Sequence, residues 1–160
     1  MDFSIDAALQ ADHDRLRAFV RDEIVPLEVD RKNYDSYGNI DMAVLQTLRA
    51  KVKAAGLWAP QIPREQGGLG YGPTGMAGVY EAMNYENFGT GAFKWAAHDD
   101  GNMYILNKVA TQAQKDRWLT PIINGDVRSS FAMTEPAPGG GSDPSMIQTT
   151  AKRVNGKWVI

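Results

Sequence analysis

Between Ile5 and about Val29, apolar residues fall at Leu9, Leu16, Phe19, Val20, Ile24 and Leu27, separated by Asp, Arg and Glu. This near-helical spacing predicts a long amphipathic helix bent at Pro26. Asp30 to Asn39 is polar and turn-rich, after which Met42, Leu45, Leu48 and Val52 form a second stripe that Gly56 can close. Leu57 to Gly75 holds too many Pro and Gly residues for a regular element and reads as a loop. Met76, Val79, Tyr80 and Met83 predict a third helix. Ala92 to Ala110 predicts a fourth, weakened by Gly101. Thr111 and Gln114 have capping-box spacing, so a fifth should run through Trp118 to about Asn124 before Gly125.

Beyond Gly125 the period changes. Ser129 to Thr134 is short and extended in character, a Gly/Pro stretch follows, and Met146 to Arg153 and Lys157 to Ile160 read as strands around an Asn155-Gly156 turn. The predicted fold class is therefore mainly α: an amino-terminal helical bundle over residues 1–126, followed over 127–160 by the opening strands of a β domain. Trp158-Val159-Ile160 reads as a strand still in progress, with no turn signal or polar tail after it and no partner strand for its exposed edge, so a truncated chain with an incomplete second domain is expected.

Composition narrows the function classes. The 160 residues suit roughly one domain, and 43% apolar with 22% charged residues is a globular balance. A net charge of −2, with Lys and Arg scattered among the acids, is not the footprint of a nucleic-acid binder. Without Cys there are no disulfides, thiolate metal sites or Cys nucleophiles, which suits a reducing, cytoplasmic compartment. Met1 to Asp6 lacks a signal-peptide pattern, and no stretch approaches the roughly 20 apolar residues of a spanning helix.

Most candidate chemistry reduces to simpler readings. Gly70, Gly72 and Gly75 satisfy G-x-G-x-x-G, but no apolar strand precedes them and Pro73 occupies the turn, so the dinucleotide fingerprint fails on context. His13 and His98 are far apart with no clustered ligands, and no metal site is expected. His98-Asp99-Asp100 reads as a capped or solvated feature, and the mixed charges of the first helix as a solvated face with some pairs three or four residues apart. The four Trp residues make no stacking row and suit packing.

The informative segment is Phe131 to Asp143. A Thr hydroxyl, a glycine-rich turn and a Ser hydroxyl could let backbone N–H groups approach an anion such as a pyrophosphate; a ligand-free glycine-rich connection remains equally open on chemistry alone. The segment is, however, similar to the signature of the acyl-CoA dehydrogenases, in which an aromatic and an apolar residue precede Thr-Glu-Pro and Gly-Ser-Asp follows. Pro63 to Gly70, Gln114 to Leu119 and Asn124-Gly125 resemble the family in the same order. The family pattern has two residues between Pro and Gly-Ser-Asp, whereas Ala137, Pro138, Gly139 and Gly140 stand here.

The resemblance implies FAD as cofactor and α,β-dehydrogenation of an acyl-CoA. Phe131, Met133 and Thr134 would contact the flavin, Gly141 and Ser142 the pyrophosphate, and Ser142 also the acyl-CoA. Plain core packing is the competing reading for Phe131 and Met133. Ala96, Ala97 and His98 would border the acyl pocket. The family's base is a Glu of the carboxy-terminal helical domain, outside this sequence, so no catalytic residue is assigned. An electron-transfer flavoprotein or similar acceptor and a homo-oligomer are implied for the intact protein. The alternatives are an acyl-CoA oxidase or flavin monooxygenase of the same superfamily, or a non-catalytic helical interaction module.

Overall fold

The computed structural model describes residues 6–160; the expected helix start at Ile5 lies outside the described residues. The chain forms two compact units, one ending at Ser129 and the other running from Ser130 to Ile160.

In the first unit, α1 (Ala7–Phe19) starts where the Asp6 carboxylate accepts from the N–H groups of Ala8 and Leu9. It passes through a π turn, Val20–Ile24, into α2 (Val25–Glu28), which contains Pro26. The proline does not end the helix. Having no N–H to offer the carbonyl of Asp22, it forces a local re-pairing in which Val25 N–H donates five residues back to Val20 O. The same solution recurs at Pro121: α7 (Gln112–Gln114) leads into a π turn, Lys115–Leu119, and then α8 (Thr120–Asn124), with Thr120 N–H donating to Lys115 O.

α3 (Met42–Ala54) is capped by Asp41 and buries Leu45, Leu48 and Val52, as its stripe predicts, while Met42 stays exposed. It closes with Gly56 N–H on Lys53 O and Leu57 N–H on Val52 O, the paired bonds of a Schellman motif. α4 (Pro73–Met83) begins three residues earlier than the pattern suggests, because Pro73 with its fixed φ is accommodated in a first turn. Among the described residues no strand precedes Gly70, and the 57–72 segment is a loop carrying one short 3₁₀ turn, Arg64–Gln66.

The expected fourth helix is broken. α5 (Gly89–Ala92) stops, Lys94 takes a left-handed φ of 65°, and α6 (Ala97–Val109) begins after an extended Ala96. α7 then opens with the predicted capping box, Thr111 and Gln114 bonding each other's backbone reciprocally.

The core joins Leu16, Val20 and Ile24 of the first helix to Leu48 and Val52 of α3, Val79 and Met83 of α4, and Met103 of α6. Phe19 meets Phe93 edge-on at 5.6 Å, and Tyr80 stacks on Trp95 at 3.9 Å. Trp58 is buried with its indole N–H on Ile123 O at 2.9 Å, whereas Trp118 and Trp158 are exposed. None of the helices among the described residues is long and apolar enough to cross a membrane.

In the second unit, β1 (Lys152–Val154) and β2 (Lys157–Val159) pair antiparallel, with Arg153 opposite Trp158. Asn155 and Gly156 both have positive φ, the twist a two-residue hairpin requires. Two strand expectations fail. Residues 129–134 have no ladder partner among the described residues, and β1 begins only at Lys152, after a 3₁₀ turn at Pro144–Met146.

Gly125 closes α8 at φ 79°, and a Cβ there would lie 3.2 Å from the Trp58 ring. Gly125→Ala is expected to cost about 1 to 3 kcal/mol through the left-handed backbone and the displaced indole. Urea unfolding followed by Trp fluorescence measures it, with Gly72→Ala, which meets open space at an extended φ, as the comparison expected to cost less.

Candidate functional site

The second unit is organised by Glu135, the residue between the Thr and the Pro of the signature. Its Oε1 accepts from Gly140 N–H at 3.1 Å and Gln148 N–H at 2.6 Å, and its Oε2 from Thr149 N–H at 3.0 Å and from the Thr149 hydroxyl. The amides of residues 148 and 149 are thus spent on a carboxylate, which explains why the expected Met146 to Arg153 strand starts late. The Thr149 hydroxyl first, then the backbone donors, hold the Glu135 carboxyl down at about 2.

Glu135 also makes an isolated antiparallel bridge to Gly141, with its N–H on Gly141 O at 3.2 Å. The bridge sets Thr134 and Ser142 beside each other at its ends, and the two residues by which the loop exceeds the family pattern are absorbed inside it. Their N–H groups are already used, Gly139 on Pro136 O at 2.8 Å and Gly140 on Glu135; Asp143 N–H turns back to Gly140 O at 2.9 Å. Among the described residues, the N–H groups of Gly141 and Ser142 have no hydrogen-bond partner. A Cβ on Gly141 would meet nothing within 4 Å, whereas one on Gly140 would lie 2.5 Å from Asp143 O. Ser142 and Thr134 are exposed, Phe131 is 64% exposed, and Met133 is half-buried. Plain core packing therefore does not describe Phe131 within its own unit.

Sequence reasoning missed Glu135. The available signal was an acid at the mouth of a glycine-rich turn, where unpaired backbone N–H groups need an acceptor.

The second organised cluster lies in the helical unit. Asp99, expected in a capped or solvated feature, is fully buried, and its Oδ2 accepts from Lys94 Nζ at 2.8 Å, with both side chains 0% exposed. Its Oδ1 accepts from Ser129 N–H at 2.7 Å and Ser129 Oγ at 2.9 Å. Asn102 Nδ2 donates to the same hydroxyl at 2.9 Å. Burial by itself would raise the Asp99 carboxyl, but Lys94 and Ser129 together hold it below the usual aspartate range. At Lys94 burial prevails and pulls the ammonium below the usual lysine range, against the pull of Asp99. For the acid limb of stability Asp99 governs, because the donors converge on its two oxygens and it sits in the first turn of α6, where a helix favours negative charge.

Ala96, Ala97 and His98 do not form one surface patch. Ala96 lines a cleft of about 400 Å³ with Arg49 and Arg128, Ala97 is exposed, and His98 Nε2 meets Arg128 Nη2 at 2.6 Å. A separate, mostly apolar cleft of about 560 Å³ lies between α4 and α6, lined by Met76, Tyr80, Met103 and Tyr104, with Asp100 at its edge. Burial pushes the Asp100 carboxyl upward. The first helix is less solvated than its charges suggest: Asp12 accepts from the Tyr71 hydroxyl, and burial followed by that bond raises the phenol to about 12.

The described residues thus give a helical unit and, in the second unit, a Thr-Glu-Pro turn bridged to Gly-Ser-Asp. The family model "Acyl-CoA dehydrogenase, N-terminal domain" matches residues 7–126, and the chain belongs to the acyl-CoA dehydrogenase family. It is 33% identical over 155 residues to acyl-CoA dehydrogenase family member 10 of Mus musculus, covering 92% of this chain and 14% of the mouse protein. It is 30% identical over 167 residues to (R)-benzylsuccinyl-CoA dehydrogenase of Thauera aromatica, covering 100% of this chain and 41% of that protein. A solved structure assigned to the acyl-CoA dehydrogenases of Mycobacterium abscessus superposes with a TM-score of 0.76 at 31% identity, over 93% of this chain and 39% of that one. The chain thus spans less than half the length of these relatives.

Two outcomes test the clusters. Asp99→Asn leaves the buried Lys94 ammonium without its counter-charge and is expected to cost about 3 to 5 kcal/mol. Because the folded carboxyl is depressed, the Asp99 contribution is complete above the unfolded aspartate range and fades as pH falls through the folded value, so acid should narrow the gap between wild type and variant. Denaturant curves from neutral to acid pH read both. For Glu135, with a folded value of about 2 against an ordinary 4.5, protection of the Gln148 and Thr149 amides should hold above that ordinary value and decline as pH falls from 4.5 through 2. Glu135→Gln should lose it at neutral pH as well, which hydrogen exchange resolved by NMR would show.

Proposed function

We propose that this chain supplies the helical domain, over 1–126, and the beginning of the β domain, over 127–160, of an FAD-dependent acyl-CoA dehydrogenase. The observation that carries the reading is the Glu135–Gly141 bridge, which leaves Gly141 and Ser142 as neighbouring free N–H donors beside the Thr134 and Ser142 hydroxyls. Adjacent backbone donors on an open glycine are what a pyrophosphate needs, and an exposed aromatic and a methionine three and one residues before Thr134 suit the face of a flavin ring.

In this reading Phe131 and Met133 pack against FAD, Thr134 hydrogen-bonds its ring, Gly141 and Ser142 bind its pyrophosphate, and Ser142 also approaches the acyl-CoA. Bound FAD supplies the two-electron acceptor for removal of the α-proton and β-hydride of the thioester. The residues of this chain bind and orient; none of them is assigned as the base. The intact enzyme would pass electrons to an electron-transfer flavoprotein or similar acceptor, work in fatty acid metabolism in the cytoplasm, and assemble as a homo-oligomer.

FAD titrated into the chain is expected to show saturable quenching of flavin fluorescence, weakened about tenfold by Thr134→Ala, the loss of one ring hydrogen bond. Ser142→Ala keeps the backbone donors and should weaken binding less. Absence of saturable quenching by a chain that circular dichroism shows to be folded would remove the flavin role from this segment.

A further inference from the structure

Two arginines of the helical unit face one cleft without an acid paired to either of them among the described residues. Arg49 of α3 is 4% exposed, yet its guanidinium has one hydrogen-bond partner among the described residues, the Gly91 carbonyl, which Nε reaches at 3.2 Å. Arg128 meets His98 and makes no ion pair among the described residues. The buried carboxylate of that region, Asp99, has its oxygens taken by Lys94 and Ser129. Burial first, and then the nearby Arg128 charge, pull Arg49 below the usual arginine range, and the more distant pull of the Asp99 carboxylate does not offset them. A buried cation without a carboxylate bonded to it is costly, and a fold that keeps one gains when an anion arrives.

Both arginines line the cleft of about 400 Å³, where Asn39, Asn87 and Thr90 add polar groups. Asp35 also lines it, but its Oδ1 accepts from Tyr37 N–H at 2.8 Å and Asn39 N–H at 2.9 Å, and it pairs with neither arginine. Its charge is spent on shaping its own loop, which a bridge between Tyr34 and Ile40 closes. Guanidinium forks match planar carboxylates and phosphate edges.

We propose that this cleft binds a small oxyanion, a phosphate or carboxylate group, held by Arg49 and Arg128. The cleft is built from the helical unit alone, and the proposal does not depend on the flavin reading. The test is thermal unfolding of the chain at low salt during titration with inorganic phosphate and, separately, with succinate, each against sodium chloride at equal ionic strength. At least one of the two should raise the melting temperature saturably beyond chloride, and the stronger identifies the group. The Arg49 Nε–H resonance should move along the same titration. Arg128 is exposed, so Arg128→Gln should stay folded, as circular dichroism checks, and lose at least about tenfold in apparent affinity, the loss of a charge-assisted bond. A rise no larger than that in chloride for both anions, or an equal rise in Arg128→Gln, overturns the proposal.

Discussion

The helical unit depends on a carboxylate that water does not reach. Asp99 holds Lys94 on one oxygen and the backbone and hydroxyl of Ser129 on the other, so one group ties the break after α5, the first turn of α6 and the last residue of the unit together. Desolvating an acid and an amine is expensive, and the pair recovers that cost only because both oxygens find donors at short distance. The consequences spread locally. Lys94 accepts a left-handed backbone, its carbonyl receives Gln61 Nε2 at 3.2 Å, and the neighbouring Phe93 carbonyl receives Ala59 N–H at 3.2 Å. The irregular 57–72 loop is thereby fastened to the same point.

What the sequence disclosed follows from the range of the interaction concerned. The α1, α3 and α4 stripes, the capping box of α7 and the Asn155-Gly156 turn are set by residues within a few positions of one another, and they appear nearly where periodicity puts them. Pro26 was legible as a bend, but neither it nor Pro121 as the source of a π turn, because a missing donor says nothing about which carbonyl the preceding N–H will choose. The break at Phe93–Ala96 was hidden. Apolar spacing continues straight through it, and the reason for stopping is an ion pair whose other anchor, Ser129, is 30 residues away.

The loop chemistry divides in the same manner. Thr134 and Ser142 stood out through a resemblance of motif, while Glu135 between them was part of the same motif without a role. Its role appears only when Gly140, Gln148 and Thr149 converge on it. The strand expected from Met146 failed for the same reason: β-forming residues pair with whatever acceptor is nearest, and here a carboxylate displaces a neighbouring strand.

Asp99 and Glu135 are both depressed carboxyls, yet they answer to different physics. Asp99 is paired with a cation in a dry interior, so its charge is balanced but costly to disturb. Glu135 takes backbone N–H groups and a hydroxyl at a partly open turn, with no cation among its hydrogen-bond partners. By consuming the Gly140 amide while bridging through its own N–H to Gly141, it sorts the donors of the glycine-rich turn into those closed by the protein and those left open. A turn lengthened by two residues could have collapsed onto its own carbonyls. Gly139 and Asp143 do turn onto carbonyls of the loop, but the glutamate captures the Gly140 donor itself, and the Gly141 and Ser142 amides stay unspent although the loop around them has grown.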